Sequence, residues 1–198
     1  NPRLAMSQIS AQFYGNPSES MNVVGITGTN GKTSITHILH HILQESGSSC
    51  GMLGTLGFRT PTGMMSTGFT TPESVEIQQM LQTLKMAGVD NVVLEISSHA
   101  LELHRIDDVD VDIAVFSNIT SEHLDFHGDM ENYFTSKLRL FKGLSNTKTA
   151  VINIDDLYSD RICAATSAKI ITYGMNKKAD LHPVQSDFSL HGTRAQLQ

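Results

Sequence analysis

A chain of 198 residues, 39% hydrophobic and 17% charged, has the composition of a globular protein and the length to bury one substantial core. Its formal charge of −6 and pI near 5.8 argue against a nucleic-acid partner. No apolar run approaches the ~20 residues of a membrane span, and no signal-peptide pattern opens the chain. Cys50 and Cys163 are too few and too far apart for a disulfide framework or a zinc site, and read as buried, reduced thiols.

The chain begins at Asn1-Pro2 without an initiator Met, as a piece excised from a longer protein would. A short helix over 4–13 and a turn at Gly15-Asn16-Pro17-Ser18 read as a connector from an upstream domain. From residue 21 onward, apolar runs at 22–26, 49–53, 91–96, 112–116, 149–154 and 169–173 predict strands. Between them, 32–46, 73–87, 130–141 and 156–166 have helical patterns. Several of the strand runs are apolar on consecutive residues, as in strands covered on both faces. The alternation of strand and helix predicts an α/β fold with a doubly wound, mostly parallel sheet. Residues 179–198 alternate polar and apolar positions and predict the start of an antiparallel edge.

The chemistry concentrates where predicted strands end. After Val23-Val24-Gly25-Ile26 comes Gly28-Thr29-Asn30-Gly31-Lys32-Thr33, and then an amphipathic helix start. A glycine-rich turn running into a helix N-terminus offers backbone N–H groups and a partial positive charge to a triphosphate. Lys32 is placed to reach the outer phosphates and the Thr33 hydroxyl to ligate Mg²⁺. The usual spacing requires a first glycine at position 26, where this chain has Ile26; its glycines fall at 25, 28 and 31.

A phosphate cradle needs carboxylates at neighbouring strand ends. The run Val92-Val93-Leu94 ends in Glu95, followed by Ser97-Ser98-His99, and a strand-end Glu in such a run is a candidate metal or phosphate residue. The run 112–116 leads into Ser117-Asn118-Ile119-Thr120-Ser121-Glu122-His123-Leu124-Asp125-Phe126-His127-Gly128. In this cluster His123 and Asp125 are candidates for metal or nucleotide contact, and His127 reads equally as a turn residue. Lys137, in the following helix, reads on its own as a surface lysine.

Four segments together, Gly28 to Thr33, Thr70-Thr71-Pro72-Glu73, Glu95-Ile96-Ser97-Ser98-His99-Ala100-Leu101 and His123-Leu124-Asp125-Phe126-His127-Gly128, resemble the Mur ligase family. The similarity runs in order over residues 2–173, and is greatest to the members that add the third amino acid of the peptidoglycan stem peptide. The resemblance implies a three-domain bacterial, cytoplasmic, monomeric enzyme. Residues 1–20 would then be the linker from an N-terminal UDP-binding domain, and 21–198 a central ATP-binding domain incomplete at its C-terminal end. The C-terminal amino-acid-binding domain would lie outside the chain, leaving the fragment inactive alone. The implied reaction is ATP-dependent ligation of meso-diaminopimelate or L-lysine to UDP-MurNAc-L-Ala-D-Glu through an acyl phosphate, with two Mg²⁺ ions.

Carried over by residue, the resemblance makes Gly28, Thr29, Asn30, Gly31, Lys32, Thr33 and Asn118 ATP-binding. It makes Thr33, Glu95, His123 and a carbamylated Lys137 metal ligands, and Lys32, Glu95, His123 and Lys137 catalytic. Thr70, Thr71, Ser97 and Arg105 would hold the substrate, while a further contact, commonly Gln, is Leu103 here. Two rivals are weighed: a folylpolyglutamate synthetase, opposed by Thr-Thr-Pro-Glu, and a P-loop NTPase switch or motor, opposed by the lack of a guanine-specificity motif.

Overall fold

The computed structural model describes residues 1–190 and 192–198. Its central sheet is built on β1 (Asn22–Thr27), which pairs in parallel with β5 (Asn91–Glu95) on one side and β6 (Ile113–Phe116) on the other. β2 (Cys50–Gly54) extends the sheet beyond β5, and β7 (Thr149–Asn153) and β8 (Lys169–Tyr173) extend it beyond β6, all parallel. Two short antiparallel strands, β3 (Gly57–Thr60) and β4 (Gly63–Met65), finish the β2 edge, giving the order β4-β3-β2-β5-β1-β6-β7-β8.

Strand residues alternate between two cores because successive side chains leave opposite faces of the sheet. Val24, Ile26, Cys50 and Val93 face α2 (Lys32–Glu45), which packs Ile35, Leu39 and Leu43 against them. Val23, Leu53, Val92, Leu94, Ala114 and Phe116 form the larger core on the other face. There they meet α3 (Ser74–Met86) through Ile77, Leu81 and Leu84, and α6 (Met130–Lys142) through Tyr133, Phe134, Leu138 and Phe141. α7 (Ser159–Ala165) adds Ile162, and α1 (Pro2–Phe13) lies against α3. The doubly wound architecture expected from the sequence is present.

Three features differ from the sequence expectation. The β2–β3–β4 meander replaces a plain strand at 49–53, and two short helices, α4 (Ser98–Glu102) and α5 (Leu124–His127), occupy segments for which the sequence predicted neither helix nor strand. The tail is antiparallel as predicted, but it is no edge of the main sheet. Among the described residues, β9 (Pro183–Ser189) and β10 (Gly192–Leu197) pair only with each other, and almost every residue of these strands is exposed. Cys50 is buried and Cys163 half-buried, both as free thiols.

Ile26 is fully buried in the α2-side core, which explains the missing first glycine: β1 runs on through Thr27, and the cradle starts only at Gly28. Replacing Ile26 by Ala should cost about 2–5 kcal/mol in urea unfolding, the range for opening a cavity in a close-packed core. A loss below about 0.5 kcal/mol, a typical surface value, would show that position 26 belongs to the loop.

Candidate functional site

β1, β5 and β6 all end at one edge of the sheet, with Ile26 beside Glu95 and Thr27 beside Phe116 in register. Their carboxyl ends converge where the chain order reverses, the usual ligand position in a doubly wound sheet. The cradle lies there. A side chain at Gly28 would overlap the Ser117 hydroxyl and crowd the Asn118 backbone, so only glycine lets the two loops touch.

The loop after β6 then holds the cradle. Asn118 accepts from Thr29 N–H through its carbonyl (2.8 Å) and from Asn30 N–H through Oδ1 (2.9 Å), and returns Nδ2 to the Asn30 carbonyl (3.0 Å). Ser117 Oγ donates to the same carbonyl at 2.7 Å. With Thr29 and Asn30 so engaged, the N–H groups of Gly31, Lys32, Thr33 and Ser34 meet no protein acceptor among the described residues. They open the 14-residue helix α2 and form a cluster of free donors at the positive end of its dipole. Lys32 bends back and donates to the Gly28 (3.0 Å) and Thr29 (2.8 Å) carbonyls, and burial lowers its pKa.

Glu95 is 2% exposed, at the end of β5. Its Oε2 accepts from the Thr33 hydroxyl (2.9 Å) and the Thr55 hydroxyl (3.0 Å), and its Oε1 from Thr55 N–H (3.1 Å). These bonds offset the desolvation of a buried carboxylate.

Lys137 is no surface lysine: it is 1% exposed. The helical period sets Tyr133 and Lys137 one turn apart on the face that α6 turns toward the cradle. Lys137 Nζ donates to the Gly28 carbonyl at 2.9 Å, the oxygen that Lys32 also uses, and lies 4.5 Å from the Tyr133 ring centre. Burial, reinforced by the Lys32 charge, lowers its pKa to about 7. The Tyr133 hydroxyl meets Thr29 Oγ1 at 3.0 Å, so α6 grips the cradle at two points.

His123 opens α5 in the left-handed conformation (φ 56°) and is half exposed, 3.7 Å from Glu122. Its ring meets His99 edge-on at 4.8 Å, and His99 stacks on Phe126 at 4.2 Å. His127 is buried and hydrogen-bonds the Ser98 hydroxyl at 3.0 Å, so it closes the wall of the site as well as its turn. Burial, then neighbouring cationic groups, lower the pKa values of His99 and His127.

The four substrate candidates form a neighbouring group. Thr71 Oγ1 donates to the Glu95 carbonyl (2.9 Å) and accepts from Ser97 N–H (3.1 Å), while Ser97 Oγ caps α4 through Ala100 N–H (3.2 Å). Arg105 donates to the Thr71 carbonyl (3.0 Å) and pairs with Glu73 (2.7 Å), which also pairs with Arg3 (3.0 Å). Thr70 Oγ1 lies 3.0 Å from Thr55 Oγ1.

Sequence reasoning missed Thr55, Tyr133 and the set after β7. Asn153 donates to the Ser117 carbonyl (2.7 Å), and Asp156 accepts from Ile119 N–H (2.8 Å), which fixes the loop that fixes the cradle. Asn153 and Asp156 had a readable signal, polar groups just past a predicted strand; Thr55 and Tyr133 did not.

Residues 26–198 match the profile of the Mur ligase middle domain. The chain belongs to the Mur ligase family. It is 42% identical over 196 residues to a UDP-N-acetylmuramoyl-L-alanyl-D-glutamate–2,6-diaminopimelate ligase of Caldanaerobacter subterraneus, covering 99% of this chain and 40% of that protein. The ligase of the same name from Geobacter sulfurreducens is 43% identical, with 98% of this chain and 40% of that one covered. A solved structure of such a ligase superposes with a TM-score of 0.87 at 31% identity, over 98% of this chain and 41% of that one. The chain thus spans about two fifths of the length of these relatives.

The buried Lys137 gives this Mur ligase domain a pH signature. Between about 7 and the ordinary lysine value of 10.5, the unfolded chain keeps the Lys137 proton and the folded chain does not. Folding within that window therefore releases a proton, so raising the pH across it favours the folded state. Urea unfolding of Lys137→Met should lack this rise in stability relative to wild type; parallel pH profiles would refute the shift.

Proposed function

We propose that the chain is the ATP-binding part of a ligase that joins 2,6-diaminopimelate to UDP-MurNAc-L-Ala-D-Glu. The observation carrying this reading is one convergence at the sheet edge: the free N–H groups opening α2, Lys32, the Thr33–Glu95 pair and the buried Lys137. The choice of amino acid rests on the names of the relatives alone.

Thr33 and Glu95 supply a hydroxyl and a carboxylate 2.9 Å apart, hard oxygen donors of the kind Mg²⁺ takes together with phosphates and water. The donor set therefore fits one Mg²⁺, which when bound neutralises phosphate charge and orients the transferring group. The second ion implied by the family pattern falls to His123 and Lys137. As an amine, Lys137 offers no oxygen. With its pKa near 7, a sizeable fraction is neutral and nucleophilic at physiological pH. Attack on CO₂ with loss of one proton converts it to a carbamate, an anionic oxygen donor beside the Lys32 ammonium.

In the reaction, a substrate carboxylate oxygen attacks the γ-phosphorus of ATP, the bond to ADP breaks, and an acyl phosphate forms. The amine nitrogen then attacks the acyl carbon, loses a proton, and phosphate departs. Two anions must approach in the first step. The α2 N–H groups hold the triphosphate in place, and Lys32 leaves the carbonyls it occupies to lower the repulsion. Arg105 and Thr70 orient the acceptor, while Asn118 serves the nucleotide indirectly, by shaping the cradle.

In the intact protein, Lys32→Ala should reduce ATP-dependent ligation by at least about a hundredfold, the scale for losing one preorganised charge-stabilising donor. Near-normal ligation would overturn the assignment. Lys137→Ala should lose activity that added acetate or formate partly restores, and a fully active variant would remove Lys137 from the site.

A further inference from the structure

Thr55 is claimed by neither half of the site and touches both. It sits at the tip of the β2–β3 hairpin, in a two-residue turn between the paired Gly54 and Gly57. Its N–H and hydroxyl take one oxygen each of the Glu95 carboxylate, at 3.1 and 3.0 Å. The seat is built to fit: a side chain at Gly54 would overlap Glu95 Oε1, so the carboxylate rests on bare backbone and is turned toward Thr33. Of the three donors to the Glu95 carboxylate among the described residues, two come from Thr55.

The hydroxyl has a single proton, and the carboxylate can only accept. Thr55 therefore donates to Glu95, and the proton in its 3.0 Å contact with Thr70 must come from Thr70. This fixes a directed chain from Thr70 through Thr55 to Glu95. Donation into Thr55 polarises its own O–H and strengthens its bond to the carboxylate. A ligand that draws the Thr70 proton to itself weakens that bond and frees lone-pair density on Glu95 Oε2.

We propose that Thr55 is a positioning residue that orients Glu95 for the cation and couples the cation site to the acceptor substrate through Thr70. The proposal rests on the function proposed above, in which Glu95 faces the metal and Thr70 the acceptor. Coupling of this kind is reciprocal, so the acceptor changes cation affinity by the factor by which the cation changes acceptor affinity.

The test uses Mn²⁺ in place of Mg²⁺, with free Mn²⁺ followed by electron paramagnetic resonance in the intact protein, with and without UDP-MurNAc-L-Ala-D-Glu. Thr55→Val keeps the backbone N–H and the shape of the side chain but removes the hydroxyl. It should weaken Mn²⁺ binding by about tenfold, the scale of one hydrogen bond to a charged group, and abolish the effect of the acceptor on Mn²⁺ affinity. Thr55→Ser should restore both. Thr70→Val, at the outer end of the chain, removes the donation into Thr55, so its Mn²⁺ affinity without acceptor should equal that of wild type with saturating acceptor, and saturating acceptor should change it no further. Folded Thr55→Val protein with wild-type Mn²⁺ affinity overturns the positioning role, and a persisting acceptor effect in Thr70→Val overturns the coupling. If Thr55→Val does not fold, Thr55→Ala, which also keeps the backbone N–H and removes the hydroxyl, takes its place. Wild-type protein that binds Mn²⁺ and ligates normally while Thr55→Val and Thr70→Val behave as wild type sinks this proposal alone; wild-type protein that binds neither Mn²⁺ nor the acceptor sinks the proposed function with it.

Discussion

The end of β5 buries a carboxylate, and much of the site follows from how that charge is kept company. Glu95 leaves a strand whose preceding three residues are wholly apolar core, so its oxygens would face a large desolvation cost without donors. The donors come from two segments distant in sequence. Thr33 arrives on the first turn of α2, and Thr55 on the tip of a hairpin at the far side of β2. Satisfying one carboxylate thus ties α2 to the β2–β3 hairpin, and Thr71 ties its own segment to the Glu95 backbone. Removing any one partner leaves buried polar groups unmatched, which makes the arrangement stiff.

The same logic holds across β1. Glycine at 28 leaves bare backbone where a side chain would overlap Ser117, so the neighbouring loop can close on the cradle. Its form is imposed from outside, by Asn118 and Ser117 after β6 and by Tyr133 from α6. Asn153 and Asp156 after β7 hold the Ser117–Ile119 loop in turn. Each strand end steadies the next, and the donors left free by this chain of support are the four at the start of α2. Under the proposed function, preorganisation of this kind places positive potential where the triphosphate goes.

What was legible in the sequence was what depends on local pattern. The strand–cradle–helix unit, the strand-end Glu95 and the polar cluster after β6 could each be read from neighbours within a few residues. The β3–β4 meander was not legible, because Pro61 and Gly63 punctuate 57–65 as turn rather than strand. Thr55 was hidden with it. Lys137 is more instructive, since the helical period that puts Tyr133, Phe134 and Phe141 on the core face of α6 puts Lys137 there too. The general preference of lysine for water overrode a pattern that was present. The tail shows the opposite failure. Its alternation was correctly read as antiparallel, but a period of two cannot say which strand is the partner.

Two ammonium groups aimed at one carbonyl oxygen make a poor resting place for either. Lys32 and Lys137 both donate to Gly28, and each is withdrawn from water. Their repulsion is one reason the more buried of the two gives up its proton near pH 7. Neutralising Lys137 relieves the conflict only in part, since a neutral amine remains close to the Lys32 charge and to a carbonyl. Converting it to an anion would turn the repulsive neighbour into a counter-ion, and a triphosphate would draw Lys32 outward from the carbonyls it now covers. Under the proposed function, Gly28 is the acceptor that Lys32 shares with Lys137 and gives up for a phosphate. Glu95, satisfied by two threonines, needs no such rearrangement. The contrast separates a fixed half of the site, built on β5 and the hairpin, from an adjustable half, built on α2 and α6.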